Sequence, residues 1–259
     1  MNIFRIGCAL FIVGFLGACA QTQAQNPNVA PISFSARSKI LLPPPDVELY
    51  EMTAAGLLEP RADWTSQGEA NIRNALRAQG ARRNTAFHEV AFDNLDPERA
   101  QTLGQIVKLH EAVAASMLAH QQGVLRLPTK KGVYSWSLGP EVSALREAGR
   151  KGDESGEDGG EEGSEEGVTA ASDAADADYA LFVTLYDSYS SAGRRAVQLV
   201  GALLGVGVPG GVQVGYASLV ELNTGDVAWF GSLARGTGDV RSADEANSTV
   251  ADLLNGLPE

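Results

Sequence analysis

Blocks of apolar and polar positions along the chain predict an alternation of strands and helices. Strands are indicated where apolar residues run together or alternate with polar ones, and helices where apolar residues recur every three or four positions. The predicted strands are residues 38–42, 86–92, 178–189, 211–222 and 227–236; the predicted helices are residues 65–81, 96–123, a short one from Pro140, and 242–257. This order, β-α-β-α-α-β-β-β-α, predicts an α/β (α+β) domain in which a mixed β-sheet packs against helices.

Local signals mark where three of these helices begin. Ser66 with Glu69, and Ser242 with Glu245, have the spacing of a capping box, in which each side chain bonds to the backbone of the other residue. The step Asp96-Pro97-Glu98 places a cap, a first-turn proline and an early acid at the start of the long helix. We therefore expect helix starts at these three positions.

Turn residues delimit two of the strands. The prolines at 43, 44 and 45 end the first strand, because proline donates no hydrogen bond to a sheet. Asn223-Thr224-Gly225-Asp226 separates the last two strands and predicts a hairpin, with Gly225 at a positive φ.

The apolar run at residues 196–208 has two interpretations. Its sequence, AVQLVGALLGVGV, is too short to cross a bilayer as a helix, which takes about 20 residues. A buried helix or loop that covers the sheet is the favoured interpretation. The alternative is an exposed patch that contacts a membrane or a partner, through Val197, Leu199, Val200, Leu203 and Leu204.

The N-terminus has the pattern of an export signal. Arg5 precedes an apolar stretch at residues 6–16, as in secretory signal peptides. The step that follows, Leu16-Gly17-Ala18-Cys19, resembles the lipobox of bacterial lipoproteins. The resemblance implies that residues 1–18 are a signal peptide, that Leu16, Gly17 and Ala18 are recognised by the signal peptidase, and that Cys19 is lipidated. An ordinary signal peptide with an incidental cysteine is the alternative.

Lipidation at Cys19 would anchor the chain to a membrane. Cys8 is the only other cysteine, and it would be removed with the signal peptide. Acyl chains contribute about 0.8 kcal/mol per buried methylene, so that two or more of them anchor a protein stably. Ala20 follows the cysteine where an aspartate commonly retains such lipoproteins in the inner membrane, so the resemblance favours the outer membrane, on its periplasmic side. Residues 19–36 are the expected tether, and residues 37–257 the expected single domain.

Charge is concentrated in one segment of the chain. The net charge is −12, and eleven of the 32 acidic residues lie between Asp153 and Asp178, where there is no lysine or arginine. Residues 150–177 are therefore predicted to be a disordered acidic insertion in the domain. No basic cluster interleaved with aromatic residues occurs, which argues against nucleic-acid binding.

No motif in the sequence indicates catalysis or a cofactor. The segment GVGVPG at residues 205–210 matches a dinucleotide fingerprint in letters, but Pro209 and Gly211 precede another predicted strand where the fingerprint requires a helix. His88, His110 and His120 lack metal-ligand spacing. Asp46 and Glu48 could be site carboxylates, although solvated charges at a strand end explain them equally well. We expect no enzyme activity, cofactor, metal or small-molecule substrate.

Four stretches of the domain resemble a known group of proteins. They are ILLPPPDVELYEMTAAGLLEPRADWT, YSWSLGPEV, ADYALFVTLYDSYSS and YASLVELNTGDVAWFGSLARG. They are similar to bacterial envelope lipoproteins and, more remotely, to the curli-secretion (CsgG) superfamily, which includes the lipoprotein activator of penicillin-binding proteins and the TolB N-terminal domain. The resemblance covers most of residues 37–257 and implies a two- or three-layer α/β domain that acts through protein contacts. The curli channel forms its pore from long amphipathic hairpins, and the chain has no clear pair of such strands.

These features together predict a lipid-anchored outer-membrane protein that serves cell-envelope assembly or maintenance as a non-enzymatic binding or scaffold subunit. The expected partners are the membrane, through the N-terminal lipid, and envelope proteins or a second copy of the chain. The alternative is a subunit of a secretion or channel complex that uses the apolar run at residues 197–208.

Overall fold

The computed structural model describes residues 21–25, 39–83, 85, 87–90, 95–121, 136–154, 176–236 and 238–258, with residues 21–25 and 150–154 described by their backbone alone. The strands are β1 (Gln21–Gln25), β2 (Ile40–Leu42), β3 (Asp46–Met52), β4 (Leu58–Pro60), β5 (Phe87–Glu89), β6 (Tyr179–Ser190), β7 (Gln213–Glu221) and β8 (Val227–Arg235). The helices are α1 (Ala62–Arg82), α2 (Pro97–Gln121), α3 (Ala144–Glu154), which a 3₁₀ turn at Pro140–Ser143 precedes, α4 (Ala192–Leu203) and α5 (Ala243–Leu253). The prediction of an α/β fold is confirmed.

The strands form one mixed eight-stranded sheet around the long strand β6. On one side of β6, strands β7, β8 and β1 follow in antiparallel order. On the other side, β2 and β3 both pair with β6 in parallel, β2 near its start and β3 along its second half. Strands β2 and β3 therefore occupy the same place beside β6. The prolines at 43–45 separate them, and pairing with β6 resumes at Asp46. The sequence analysis missed β3 and its hairpin partner β4.

Helices cover both faces of the sheet and make three layers. Along β6, Leu181 and Leu185 face one core and Ala180 and Phe182 face the other, as the twofold repeat of a strand requires. The first core contains the buried faces of α1 and α5, and the second contains those of α2 and α3. Both faces of the sheet are thus filled without α4.

Several predicted boundaries are confirmed and others are shifted. Asp96 caps α2, where its Oδ1 accepts a hydrogen bond of 3.1 Å from the backbone N–H of Arg99. Gly225 has φ 77° in the β7–β8 hairpin, as predicted. The capping box at Ser66 was wrong, because α1 already begins at Ala62. Ser242 is the cap residue of α5, but its side chain makes no capping hydrogen bond.

The predicted tether and insertion differ from the structure at their edges. Residues 21–25, placed in the tether, form the edge strand β1 against β8. At the start of the predicted insertion, α3 continues to Glu154, and at its end Ala177 is buried in the second core. The signal peptide, Cys19, and residues 26–38 and 155–175 lie outside the described residues.

The apolar run does not cover the sheet, and the favoured prediction of a buried segment was wrong. Its residues form α4 and the loop that follows, and Gly201 is the only buried residue of that helix. Leu203 is 79% exposed and Leu204 is 74% exposed. None of the described helices is both long enough and apolar enough to span a bilayer.

Candidate functional site

The surface features that do not belong to either core lie together at one end of the sheet. Asp187 near the end of β6 pairs with Gln213 at the start of β7, which pairs with Arg235 at the end of β8. Gln21, the first described residue, pairs with Ala234 in the adjacent row. The end of β3 also lies here, since Met52 pairs with Ser190. The chain therefore enters the domain at the sheet end from which α4 leaves.

An apolar surface lies at this end, formed by α4 and its following loop. We call it the apolar ridge, and its members are Val197, Leu199, Val200, Leu203, Leu204 and Val206, all exposed. The loop folds back on the helix at Gly201, whose carbonyl accepts a hydrogen bond of 2.8 Å from the Val206 N–H. A Cβ at Gly201 would lie 2.7 Å from Val208, so the glycine permits this close return. A shallow groove of about 410 Å³ with an apolar lining runs between the helix and the loop.

Exposed large apolar side chains concentrate at this end. Leu57 in the β3–β4 turn and Leu58 at the start of β4 lie near the start of α4, where a Cβ on Gly193 would be 3.2 Å from that of Ala54 in the same turn. Val212 precedes β7 at the same end. Within the described part of the chain, Leu109 on α2 is the one exposed large apolar residue that belongs elsewhere. The molecule therefore has one strongly apolar end.

The segment of the chain that carries the ridge has charge of one sign only. No aspartate or glutamate occurs between Asp187 and Glu221, and the only charged residues in that interval are Arg194 and Arg195. Arg194 donates to the carbonyl of Pro209 at 2.9 Å and so ties the loop to the start of the helix. In a chain of net charge −12, an interval of this length without acids sets the ridge apart.

A polar cleft of about 480 Å³ opens on the other side of α4. We call it the polar cleft. Its walls come from the end of β6 and the start of α4, from glycines before β7, from the loop between β8 and α5, and from β3 and α1. At Gly211 a Cβ would lie 1.8 Å from the Ser188 carbonyl oxygen, so only glycine allows this wall to lie against β6.

Aromatic and charged side chains in one wall of the polar cleft are mutually paired. The guanidinium groups of Arg61 and Arg241 lie 4.1 and 4.4 Å from the Trp64 ring centroid. Arg61 bonds to Glu51, and Arg241 bonds to Asp239 at 2.7 Å. Asp239 consequently has a lowered pKa, because the Arg241 guanidinium donates hydrogen bonds to its carboxylate. These acids are neutralised within the wall.

Three other side chains of the polar cleft have no partner among the residues that the structure describes. Within the described residues, Ser190, Arg195 and Gln198 form no side-chain hydrogen bond or ion pair, although all three line the cleft. Ser191 by contrast caps α4, where its Oγ accepts from the Arg194 N–H at 3.0 Å. The cleft thus holds uncommitted donors, and Arg195 is its one guanidinium without an acid partner among the described residues.

A buried hydrogen-bond network supports the cleft floor. Asp187 Oδ2 accepts bonds of 2.6 Å from the Tyr189 hydroxyl and from Gln213. Gln213 in turn accepts from Arg235, which pairs with Asp252 of α5 at 3.0 Å. Burial raises the pKa of Asp187 to about 6, while the bonds from Tyr189 and Gln213 oppose that rise.

A serine and a histidine meet in the second core. His110 Nε2 lies 2.8 Å from Ser218 Oγ, and the imidazole stacks on Phe182 with centroids 4.9 Å apart. His110 is 1% exposed, and burial lowers its pKa to about 3. This pair is closed to substrate and is a hydrogen-bonded core contact. In the described part of the chain, no three His, Cys, Asp or Glu side chains form a group that could hold a metal.

The remaining sequence candidates do not form a site. Asp46 pairs with Lys108 at 2.9 Å, whereas Glu48 accepts a bond from Tyr50. Residues 205–210 form the loop after α4 and not a strand-to-helix turn, so the fingerprint is absent. Cys19 with Leu16, Gly17 and Ala18 lies outside the described residues. Val197, Leu199, Val200, Leu203 and Leu204 come together on the apolar ridge.

The sequence analysis did not identify the polar cleft. Its unpaired residues come from a serine-rich stretch and an Arg-Arg pair that match no spaced motif. The glycine pairs at residues 210–211 and 236–238 were the available signal, since clustered glycines often mark a close approach of backbone segments.

Comparison with known proteins found matches among solved structures. No protein-family model matches the chain. No curated protein matches it. Two solved structures that match are PelC dodecamers from Paraburkholderia phytofirmans, one of a variant in space group C2 and one in space group P6; each is 14% identical, with a TM-score of 0.34. They align over 91% of this chain and over 95% and 94% of their own chains.

Proposed function

We propose that the protein is a lipid-anchored, non-enzymatic binding or scaffold subunit on the periplasmic side of the outer membrane, serving envelope assembly or maintenance. The observation that supports this most strongly is the apolar ridge, at the sheet end where the chain enters the domain. Cys19 stands only two residues before Gln21 in the sequence, so an acyl anchor on it would be tethered within a short reach of the sheet end that carries the ridge. Both can then contact one membrane leaflet.

Transfer of the ridge side chains from water into an apolar environment, such as a lipid layer, lowers the free energy. Complete burial of a leucine or valine side chain contributes about 1.5–3 kcal/mol. Leu199, Leu203 and Leu204 are each more than half exposed, so removing them from water supplies several such contributions. Because one anchored chain is already held near the surface by its lipid, this second contact needs only modest energy of its own.

A bilayer fits the ridge better than a flat protein surface does. Gly201 is the only buried residue of α4, and the helix presents the exposed apolar side chains of the ridge on one face and polar side chains on another, as amphipathic helices at a membrane interface do. Arg194 and Arg195 adjoin it without any acid in the interval, which suits the anionic headgroup region of a membrane.

The lipid anchor is tested by labelling cells with radioactive palmitate. The wild-type chain should incorporate label, and Cys19→Ser should abolish it and leave an uncleaved precursor. Cys8→Ser is the matched control, because Cys8 lies in the segment that is removed. Label that persists in Cys19→Ser, or a mature chain that begins elsewhere, would show that the anchor is not at Cys19.

The scaffold role is tested by in-cell crosslinking and identification of the captured proteins. We expect a defined envelope protein or a second copy of this chain to be captured by the wild type. If the anchored chain neither captures an envelope protein nor self-associates, the scaffold role fails even where the lipid anchor is real.

A channel or secretion subunit is the second candidate, and the exposure of the ridge is the observation in its favour. In this version the ridge of several copies would line or seat a pore. Reconstituted chain should then conduct ions across liposomes, and deletion of residues 196–208 should abolish the conductance. Conductance that survives the deletion would exclude the ridge from a pore.

A further inference from the structure

The polar cleft is a recess lined by Ser190, Arg195 and Gln198, whose side chains have no partner among the described residues. Its volume of about 480 Å³ is in the range of small-ligand sites. We propose that it binds a phosphate group. This proposal goes beyond the scaffold role and does not depend on lipidation at Cys19.

The donors in the cleft suit a phosphate. Arg195 offers a planar guanidinium, Gln198 an amide and Ser190 a hydroxyl, and within the described residues these side chains bond to nothing else. Phosphate oxygens are strong acceptors, and arginine forms paired hydrogen bonds with them. A cation would find no free acid here, because Glu51 and Asp239 are bonded to Arg61 and Arg241.

The cleft is closely walled at Gly210 and open at Gly236. The backbones at Gly210 and Gly211 form one wall, and a Cβ at Gly210 would lie 2.9 Å from the Gln198 amide nitrogen. The wall at Gly236 is open, with nothing within 4 Å of a Cβ built there. The phosphate can therefore enter while the rest of its molecule stays outside.

The phosphate could be supplied by a lipid headgroup or by a water-soluble phosphoester. Arg195 and Gln198 stand on α4, the helix that also presents Val197 and Leu199. A headgroup would thus sit in the cleft while the ridge contacts the acyl region of the same membrane. A soluble phosphoester would need no membrane, so two probes separate these sources.

The test is calorimetric titration of the full chain, purified from membranes in a nonionic detergent. The probes are glycerol 1-phosphate and short-chain phosphatidylglycerol in the detergent micelles. The wild type should bind at least one of them saturably, and Arg195→Gln should weaken that binding about tenfold, the loss of roughly one charge-assisted contact. Preference for phosphatidylglycerol identifies a headgroup, and preference for glycerol 1-phosphate identifies a soluble ligand.

Arg82→Gln is the matched control. Arg82 is exposed at the end of α1, and within the described residues it has no ion pair, so the two variants remove the same charge. Its affinity should stay within about twofold of the wild type. The proposal is overturned if neither probe binds saturably, or if Arg195→Gln and Arg82→Gln bind equally well. Neither result would bear on the palmitate experiment, which tests the anchor.

Discussion

At the scale of single residues, two buried groups give the fold opposite responses to acid. His110 has a pKa of about 3, below the 6.5 of an exposed histidine, so the unfolded chain takes up its proton first as the pH falls. Asp187 has a pKa of about 6, above the 3.8 of an exposed aspartate, so the folded chain takes up its proton first. Acidification from pH 7 to 5 therefore weakens the fold through His110 and strengthens it through Asp187.

Because the two effects oppose each other, removing one group or the other should change the pH dependence of the unfolding free energy in opposite directions. Between pH 7 and pH 5, Asp187→Asn should lose about 2 kcal/mol of unfolding free energy, because the histidine effect is then unopposed. His110→Gln should gain about 1 kcal/mol over the same range, because only the aspartate effect remains. Denaturant titrations at the two pH values measure both, and parallel pH profiles for the two variants would show that these groups do not titrate as the structure implies.

The close contact at Gly211 predicts a cost for the smallest substitution. Gly211→Ala places a Cβ against the Ser188 carbonyl and should lower the free energy of unfolding by about 1–3 kcal/mol, because the backbone must move. Gly236→Ala is the control, since open space surrounds that position. Thermal unfolding of the two variants tests the contact, and an equal change in both would mean that the wall is not tightly held.

Local sequence signals at single residues were correct at some positions, whereas the capping boxes at Ser66 and Ser242 do not form. Asp96 and Gly225 act within one turn of their own backbone, and both were predicted correctly. Arg195 and Ser190 gain their meaning from segments distant in sequence, such as Gly210 and the loop at residue 239. No spacing within one stretch can show that convergence, and only the clustered glycines at residues 210–211 and 236–238 offered a signal for the polar cleft.

At the scale of elements, α4 shows why apolar content alone did not predict burial. The sequence analysis favoured a buried position for residues 196–208, since apolar runs usually lie in cores. The two faces of the sheet are, however, already covered by α1 with α5 and by α2 with α3. Because other helices already cover both faces of the sheet, α4 remains at the surface. The hydropathy pattern alone does not indicate which faces of a sheet are already covered.

The exposure of α4 predicts that its leucines contribute little to folding. Leu203→Ser and Leu204→Ser should each change the free energy of unfolding by less than about 0.5 kcal/mol, because both side chains face solvent. Ile72→Ala in the first core is the contrast and should cost about 2–4 kcal/mol. Denaturant unfolding in detergent-free buffer checks the set, and a loss above 2 kcal/mol at Leu203 would place α4 against the fold.

At the scale of the whole molecule, the sheet has two chemically different ends. The ridge and Gln21 lie at one end, and the β7–β8 hairpin with Thr224 lies at the other. Strand β6 separates them by about 35 Å, at roughly 3.3 Å per residue. Most of the order of strands and helices was predicted from the sequence. That Gln21 and the apolar run lie at the same end of the sheet depends on the pairing register of β1, β8, β7 and β6, which the sequence does not indicate.

This polarity predicts how the anchored protein stands on a membrane. An environment-sensitive fluorophore on Leu203→Cys should shift to the blue when the full chain is reconstituted into anionic vesicles, because the ridge leaves water. The same fluorophore on Thr224→Cys should keep its aqueous spectrum, since the hairpin points away. With Cys19 acylated and Cys8 removed, the introduced thiol is the only one available for labelling. A shift at Thr224 with none at Leu203 would invert the orientation and separate the ridge from the membrane.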